Sequence, residues 1–367
     1  MRLAPLIVLA LALAGCDEPT PSDLGGTGAR WAAADQAFHR EPRWLGGDAV
    51  YSVDLGDART LWLFGDSFIA TSPALSRTAS TMVRNSVAVM TGADLLTASM
   101  EFAWRDGAPP TSFFPERGDR WSWPGGGVRG PDGSLLLFLY ELRATPGEGL
   151  GFAVAGWRAV RVADPSGPPS GWTITDALTA PAPGGDDTIV GACVAVDGDH
   201  LVALAIDDGD HDGRLVRWPL AAIATGDLRA AAWWDGTAWI DQASLTATPP
   251  VVLPDAPTEC SLHRDAGSGR WVHTASRGFG ATTLAIRTAA RLEGPWSGPT
   301  DVFTPPESSV DDAFVYAGKA HPHLRGPTGG VVATYADNSF TFADLFDPAR
   351  ADTLYWPHVA ELTLTPR

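Results

Sequence analysis

The chain is short of positive charge: 26 Lys and Arg stand against 43 Asp and Glu, for a formal net charge of −17. That balance argues against a nucleic-acid partner, whose phosphates so acidic a protein repels, and makes a neutral polysaccharide a better-matched substrate than a strongly acidic one. Cysteine is scarce, three in 367 residues, and no Cys-x-x-Cys or His/Cys spacing marks a zinc centre. Runs of Ala, Leu, Glu and Lys of the kind that build long helices are missing, which leaves a parallel α/β fold without its crossover helices. The apolar run at the N-terminus, Leu3 to Ala14, is too short to cross a bilayer as a permanent helix.

That run follows Arg2 and ends in Leu13-Ala14-Gly15-Cys16, which looks like a bacterial lipobox. The expected organisation is a lipoprotein signal peptide over residues 1–15, a lipidated Cys16 that anchors the protein to a membrane of the cell envelope on its extracytoplasmic side, and a flexible Pro-, Gly-, Ser- and Thr-rich tether over 16–30. An ordinary cleaved signal peptide is the plainer alternative. Residues 31–367 then form one domain, expected as a monomer. With Cys16 set aside, Cys193 and Cys260 are either a disulfide, as an oxidising compartment favours, or two buried apolar thiols.

What the chain has in quantity is 40 Gly, 30 Pro and 15 Trp, a turn-rich and aromatic composition that points to an all-β fold. Five hairpin-like units recur, starting at residues 48, 123, 190, 259 and 321, each with a Gly-containing turn between two strand-like runs. Further strand-like pieces such as RNSVAVM and GWRAVRVA follow most of them. Sheets of three or four strands repeated five times make a five-bladed β-propeller. In such a fold the first strand of each blade lines a central channel, so five hairpin ends converge on one face: Asp48 with Asp66, Trp123 with Glu141, Val190 with Asp207, Glu259 with Ser276 or Arg277, and His321 with Asn338.

The candidate chemistry lies in that ring. Asp48 and Asp66 are equidistant in sequence from Asp57 of the Gly56-Asp57 turn. Directly opposed residues on antiparallel strands have Cβ atoms roughly 4.5–5.5 Å apart, close enough for one carboxylate to raise the pKa of the other. A glycosidase pairs an acid with a nucleophile or base in this way, and a separation of about 5 Å predicts retention whereas roughly 6.5–9.5 Å predicts inversion. Asp66 is the expected nucleophile, Asp48 the acid/base and Glu259 an alternative acid. Arg84, Asn85, Trp123, Glu141, Arg277, Tyr316, Lys319 and His321 are the expected substrate-binding residues, with Lys319 and His321 on one strand face. Structural roles compete for each of them: turn capping for Asp66 and Asn85, inter-blade packing for Trp123, a salt bridge for Lys319. The Gly65-Asp66-Ser67 string also fits an esterase in which Ser67 attacks, but Asp197/His200 and Asp208/His211 supply the Asp-x-x-His spacing in a β-rich region. No cofactor is expected. The acidic loop of Asp207, Asp208, Asp210 and Asp212 with His211 could hold a structural calcium ion, although its spacing fits no EF-hand and a solvated turn is the plainer reading.

Taken in order, GGDAVYSVDL, LWLFGDSF, RNSVAV, LEGPWSGP, YAGKAHPHL and LYWPHV resemble a bacterial family of secreted five-bladed propellers. That family is related in architecture to the arabinanase and fructosidase propellers, and some of its members are endo-D-arabinanases. The resemblance spans roughly residues 40 to 365. It implies the propeller fold and glycoside hydrolysis at aspartates placed like Asp48 and Asp66, with Ser67 standing where the family more often has Thr. A surface propeller that binds glycan or protein through the same ring without turning it over is the alternative from another functional class.

Overall fold

The computed structural model describes residues 23–147, 151–278 and 282–367. The signal peptide and Cys16 lie outside the described residues. Among those residues the chain is almost entirely β, with one short α-helix, Ala221–Thr225, and short 3₁₀ helices of which Ala32–His39 is the longest. The strands form five larger antiparallel sheets and a small three-stranded one made of Trp44–Gly47, Ser67–Ala70 and Ser80–Val83.

Sheet I runs Tyr51–Gly56, Arg59–Phe64, Ser86–Thr91, Ser99–Ala103; sheet II runs Arg120–Arg129, Leu135–Ala144, Phe152–Val162, Ile174–Asp176. Sheet III runs Thr188–Asp197, His200–Asp207, Gly213–Pro219, Ala232–Trp234, Trp239–Asp241; sheet IV runs Cys260–Arg264, Trp271–Arg277, Thr283–Ala289, Thr300–Phe303. Sheet V combines Ala313–Arg325, Val331–Ser339 and Pro357–Pro366 with Leu24–Arg30 from the other end of the chain. The tether expected over 16–30 is therefore wrong for residues 24–30. Their backbone pairs in register from Leu24↔Pro366 to Arg30↔Ala360, so a Gly-rich run that reads as linker is an edge strand fixed by a partner more than 300 residues away.

Second strands such as LLLFLYELRA read as nearly continuous apolar runs because each is covered on both faces; Leu135 to Leu139 are all fully buried. First strands carry more glycine. They lie side by side in cyclic order, sheet V returning to sheet I, and together they line a cavity of ≈570 Å³ to which all five contribute. Close approach explains the glycine: a Cβ on Gly125 would sit 2.6 Å from the Gly191 carbonyl oxygen of the next sheet.

Hairpin registers follow from the turns and are interrupted by bulges. Asp57 and Ala58 have φ of 53° and 55°, the left-handed pair of a type I′ turn, one residue beyond the expected Gly56-Asp57. In sheet I, Tyr51↔Leu63 through Asp54↔Thr60 is the register that would bring Asp48 opposite Asp66. In sheet II a shift between Leu137 and Leu139 pairs Trp123 with Tyr140, and Glu141 with Ser122, so the expected Trp123–Glu141 pair is off by one. In sheet III a shift between Val190 and Cys193 gives Asp207 to Thr188 instead of Val190. Sheet V departs furthest, because its first strand begins at Ala313 and not at His321. His321 consequently pairs with Val332, and Asn338 with Phe314.

Candidate active site

Asp48 precedes the first strand of sheet I and Asp66 follows the second. The backbone joins them, since Gly65 N–H donates to the Asp48 carbonyl at 3.0 Å. Ala49 and Val50 both adopt left-handed φ, 66° and 56°. For a β-branched valine this is a costly conformation of the kind that concentrates at functional sites. Gly65 is required by contact: a Cβ there would lie 2.4 Å from Asp48 Oδ1. The Gly-Asp pair thus lets one carboxylate rest against the backbone that presents the other.

Different partners hold the two acids. Tyr316 and Tyr355 donate hydroxyl hydrogen bonds to Asp48 Oδ2 at 2.7 and 3.0 Å, and the Tyr355 hydroxyl also lies 3.2 Å from the Asp66 carbonyl. Arg84 pairs with Asp66 Oδ2 at 3.1 Å, and the Trp123 indole N–H donates to Oδ1 at 2.8 Å. Burial, with the nearby charges of Asp66 and Glu259 added, pushes Asp48 up to about 8 against the two tyrosine bonds. Burial also raises Asp66, but Arg84 and Trp123 oppose it and leave the carboxyl at about 6, with exposed Glu116 pushing weakly upward. Around neutral pH Asp48 keeps its proton while Asp66 is ionised. Two neighbouring titratable groups driven apart by their surroundings are able to divide the roles of acid and base.

Glu259 completes the cluster. It forms an ion pair at 3.0 Å with Lys319, which is 1% exposed, lies 4.3 Å from the Tyr51 ring centroid and also donates to the carbonyls of Ala49 and Ala317. The charge of Glu259 is among the causes that raise Asp48, and its ion pair ties it to this cation. Ala317, with φ of 59°, falls where the sheet V register shifts between Tyr316 and Lys319, and that bulge brings both side chains to the cluster. A second cavity, ≈450 Å³, adjoins it and is lined in part by Glu259, His273, Arg287 and Tyr316.

The structure therefore gathers Asp48, Asp66, Glu259, Arg84, Trp123, Tyr316 and Lys319. Four other expected binding residues serve elsewhere. Asn85 is fully buried and bonds the backbone of Phe114 and Ser122, riveting a loop and sheet II onto sheet I. Glu141, which strand alternation places on the face opposite Tyr140 and the sheet II bulge pairs with Ser122, is held by Arg120 and Arg158. Arg277 sits at the rim of the second cavity but pairs with Asp301 at 3.0 Å, while Ser276 is the residue in register with Glu259. His321 is locked between Ser52 and Thr334 at 2.6 and 2.7 Å, and burial keeps it neutral.

The esterase reading fails on geometry. Ser67 is fully buried, and its hydroxyl bonds the Gly65 carbonyl and Ser86; among the described residues no histidine is its partner. In the acidic loop Asp207 Oδ1 accepts the N–H groups of Gly209 and Asp210 at 2.9 Å, the geometry of a self-capped turn. No group of three or more His, Cys, Asp or Glu among the described residues is placed to hold a metal ion. Cys193 and Cys260 are buried free thiols that hydrogen-bond to one another. Tyr355, Tyr51, Tyr140, whose hydroxyl lies 3.3 Å from that of Tyr51, and Glu116 are the members that sequence reasoning did not single out. Tyr355 belongs to the LYWPHV string, but its role depends on a left-handed φ of 63° that no sequence pattern announces.

Comparison with protein families matches residues 33–363, nearly the whole folded chain, to a single family. The chain belongs to the family described as Domain of unknown function (DUF5005). No curated protein matches this DUF5005 chain. Among solved structures, a presumed hydrolase from Bacteroides ovatus superposes with a TM-score of 0.71 at 16% identity, over 91% of this chain and 90% of that one. That likeness shows the fold. A xylan β-1,4-xylosidase from Bacillus halodurans gives 0.44 at 12% identity, over 89% of the DUF5005 chain and 54% of the xylosidase. An exo-β-1,3-galactanase from Phanerochaete chrysosporium gives 0.46 at 13%, over 94% and 64%. At those scores neither bears on what this chain does.

Proposed function

We propose that the protein is a glycoside hydrolase, built as a five-bladed propeller, that cleaves a neutral polysaccharide at Asp48 and Asp66. The observation that supports this reading is the unequal pair: neighbouring carboxylates, half-buried Asp48 pushed up to about 8 and buried Asp66 held at about 6. Asp48 delivers its proton to the departing glycosidic oxygen while Asp66, ionised and positioned by Arg84 and Trp123, attacks the anomeric carbon. Water then displaces the sugar from Asp66 and gives its proton to the Asp48 carboxylate, restoring both groups. If water instead enters directly with Asp66 as base, the product anomer is inverted, so product stereochemistry distinguishes the two routes.

The groove beside Glu259 and Tyr316, which also carries His273, Arg287 and Thr258, supplies a hydrogen-bonding surface suited to a sugar chain. An arabinofuranoside-containing polymer is the first substrate to test. The mature protein is proposed as a monomer, lipid-anchored through Cys16 outside the cytoplasm. The experiment is a panel of polysaccharides assayed for new reducing ends with the wild type and Asp66→Asn. The enzyme reading expects turnover that falls by about 10²–10⁴-fold in the variant while glycan binding persists. A panel that yields binding but no turnover by the wild type would instead support a non-catalytic glycan receptor.

A further inference from the structure

The first strands of the five sheets run the same way through the molecule. Their N-terminal ends lie toward the carboxylate cluster, with Asp48 just before one and Glu259 just before another. At the opposite ends, three of the five stop on arginine: Arg129, Arg264 and Arg325. In a chain of net charge −17 this is a local reversal of sign. None of the three forms an ion pair among the described residues; Arg264 and Arg325 bond only the backbone carbonyls of Gly269 and Leu324, at 2.8 and 3.4 Å.

Behind this rim opens the ≈570 Å³ cavity among the first strands, lined by Arg129, Arg264, His263 and His323, with Asp54 as its one carboxylate among the described residues, and reaching Lys319 and Tyr51 of the carboxylate cluster. Asp54 Oδ1 already accepts the Gly56 N–H at 2.8 Å. His263 is 7% exposed, yet among the described residues neither of its ring nitrogens has a hydrogen-bond partner, and His323 Nε2 has none either. A neutral imidazole carries one donor and one acceptor, and leaving both unmet in a buried position costs stability that an occupant of the cavity would restore.

We propose that this mouth is a second binding site, separate from the carboxylate pair, for a small ligand bearing an oxyanion, either a carboxylate or a phosphate. The guanidinium forks at the rim take the anion in charge-assisted hydrogen bonds, and His263 and His323 meet the ligand's polar groups inside. The uncompensated arginines favour an anion over a cation, and a volume of ≈570 Å³ suits a small molecule.

The test is titration of the folded chain with inorganic phosphate, glucuronate and, as the neutral counterpart, glucose, followed by calorimetry and by the NMR signals of the His263 ring. Binding of phosphate or of glucuronate, with the His263 signals moving and glucose inert, supports the site, and whichever anion binds tighter names its chemistry. The double variant Arg129→Gln/Arg264→Gln, whose exposed side chains make no ion pair to lose, weakens that binding by about tenfold or more with unchanged Tm. Asp66→Asn leaves it intact, which separates this site from the proposed hydrolysis. No signal change with either anion at millimolar concentration, equal binding of glucose, or undiminished binding by the double variant would each overturn it.

Discussion

Replacing Asp48 with Asn probes the site through folding stability, independently of any substrate. Asp48 ordinarily titrates at 3.8 and is held at about 8 in the folded protein. Between those values the unfolded chain ionises this group while the folded chain keeps its proton. Each pH unit in that window therefore favours unfolding by about 1.4 kcal/mol. The sign is that of a raised carboxylate: the contribution to stability is complete below pH 3.8, is lost as pH rises, and stays lost above about 8. Carried to pH 7 the loss is about 4 kcal/mol, and because part of the shift belongs to the Asp66 charge, roughly 2–4 kcal/mol is the working range. Asparagine does not titrate, and its carbonyl can still accept from Tyr316 or Tyr355. Asp48→Asn should match the wild type in urea unfolding near pH 4 and exceed it by that margin near pH 7, while hydrolysis is lost with the acid. A difference that does not change with pH, or a variant less stable than wild type near pH 7, would refute the reasoning.

Three further variants test individual contacts. Arg84→Gln removes the cation that opposes the rise of Asp66, so the acidic limb of the kcat/KM profile, set near 6, should move to higher pH. Tyr355→Phe deletes one of the two hydroxyl bonds that favour ionised Asp48, so the alkaline limb should move upward while the acidic limb moves little. Gly65→Ala places a methyl group against Asp48 Oδ1 and should cost about 1–3 kcal/mol in thermal unfolding together with most of the activity, since Asp48 cannot yield without breaking its tyrosine bonds.

The sequence made the aspartate pair visible because its signal is arithmetic: in sheet I the Asp57-Ala58 turn sets Gly56 opposite Arg59, the register shifts between Asp54 and Gly56, and the ladder from Tyr51↔Leu63 to Asp54↔Thr60 then has the spacing that brings Asp48 opposite Asp66. The same arithmetic failed for Trp123 with Glu141 and for Val190 with Asp207, where bulges in glycine-rich first strands slip the ladder. Nothing in the residue types of Gly125 or Gly191 states on which side of the bulge a register applies. Lys319 and Tyr316 were found as a polar cluster, but the bulge at Ala317 that aims them at Glu259 and Asp48 is a backbone event. Tyr355 arrives from a distant segment through tertiary folding. Leu24–Arg30 looked like linker because its Gly-Gly-Thr-Gly core lacks the apolar alternation of a strand; its pairing is dictated by Pro357–Pro366.

The central claim is that two neighbouring carboxyls divide the roles of acid and base, and a carbon-13 NMR titration of the Asp48 and Asp66 side chains tests it most directly. The account predicts that Asp66 ionises first, near 6, and that Asp48 follows near 8, with the Asp48 transition lowered when Asp66 is replaced by Asn. Ionisation of both groups in the ordinary carboxylate range, or Asp48 losing its proton before Asp66, would contradict it.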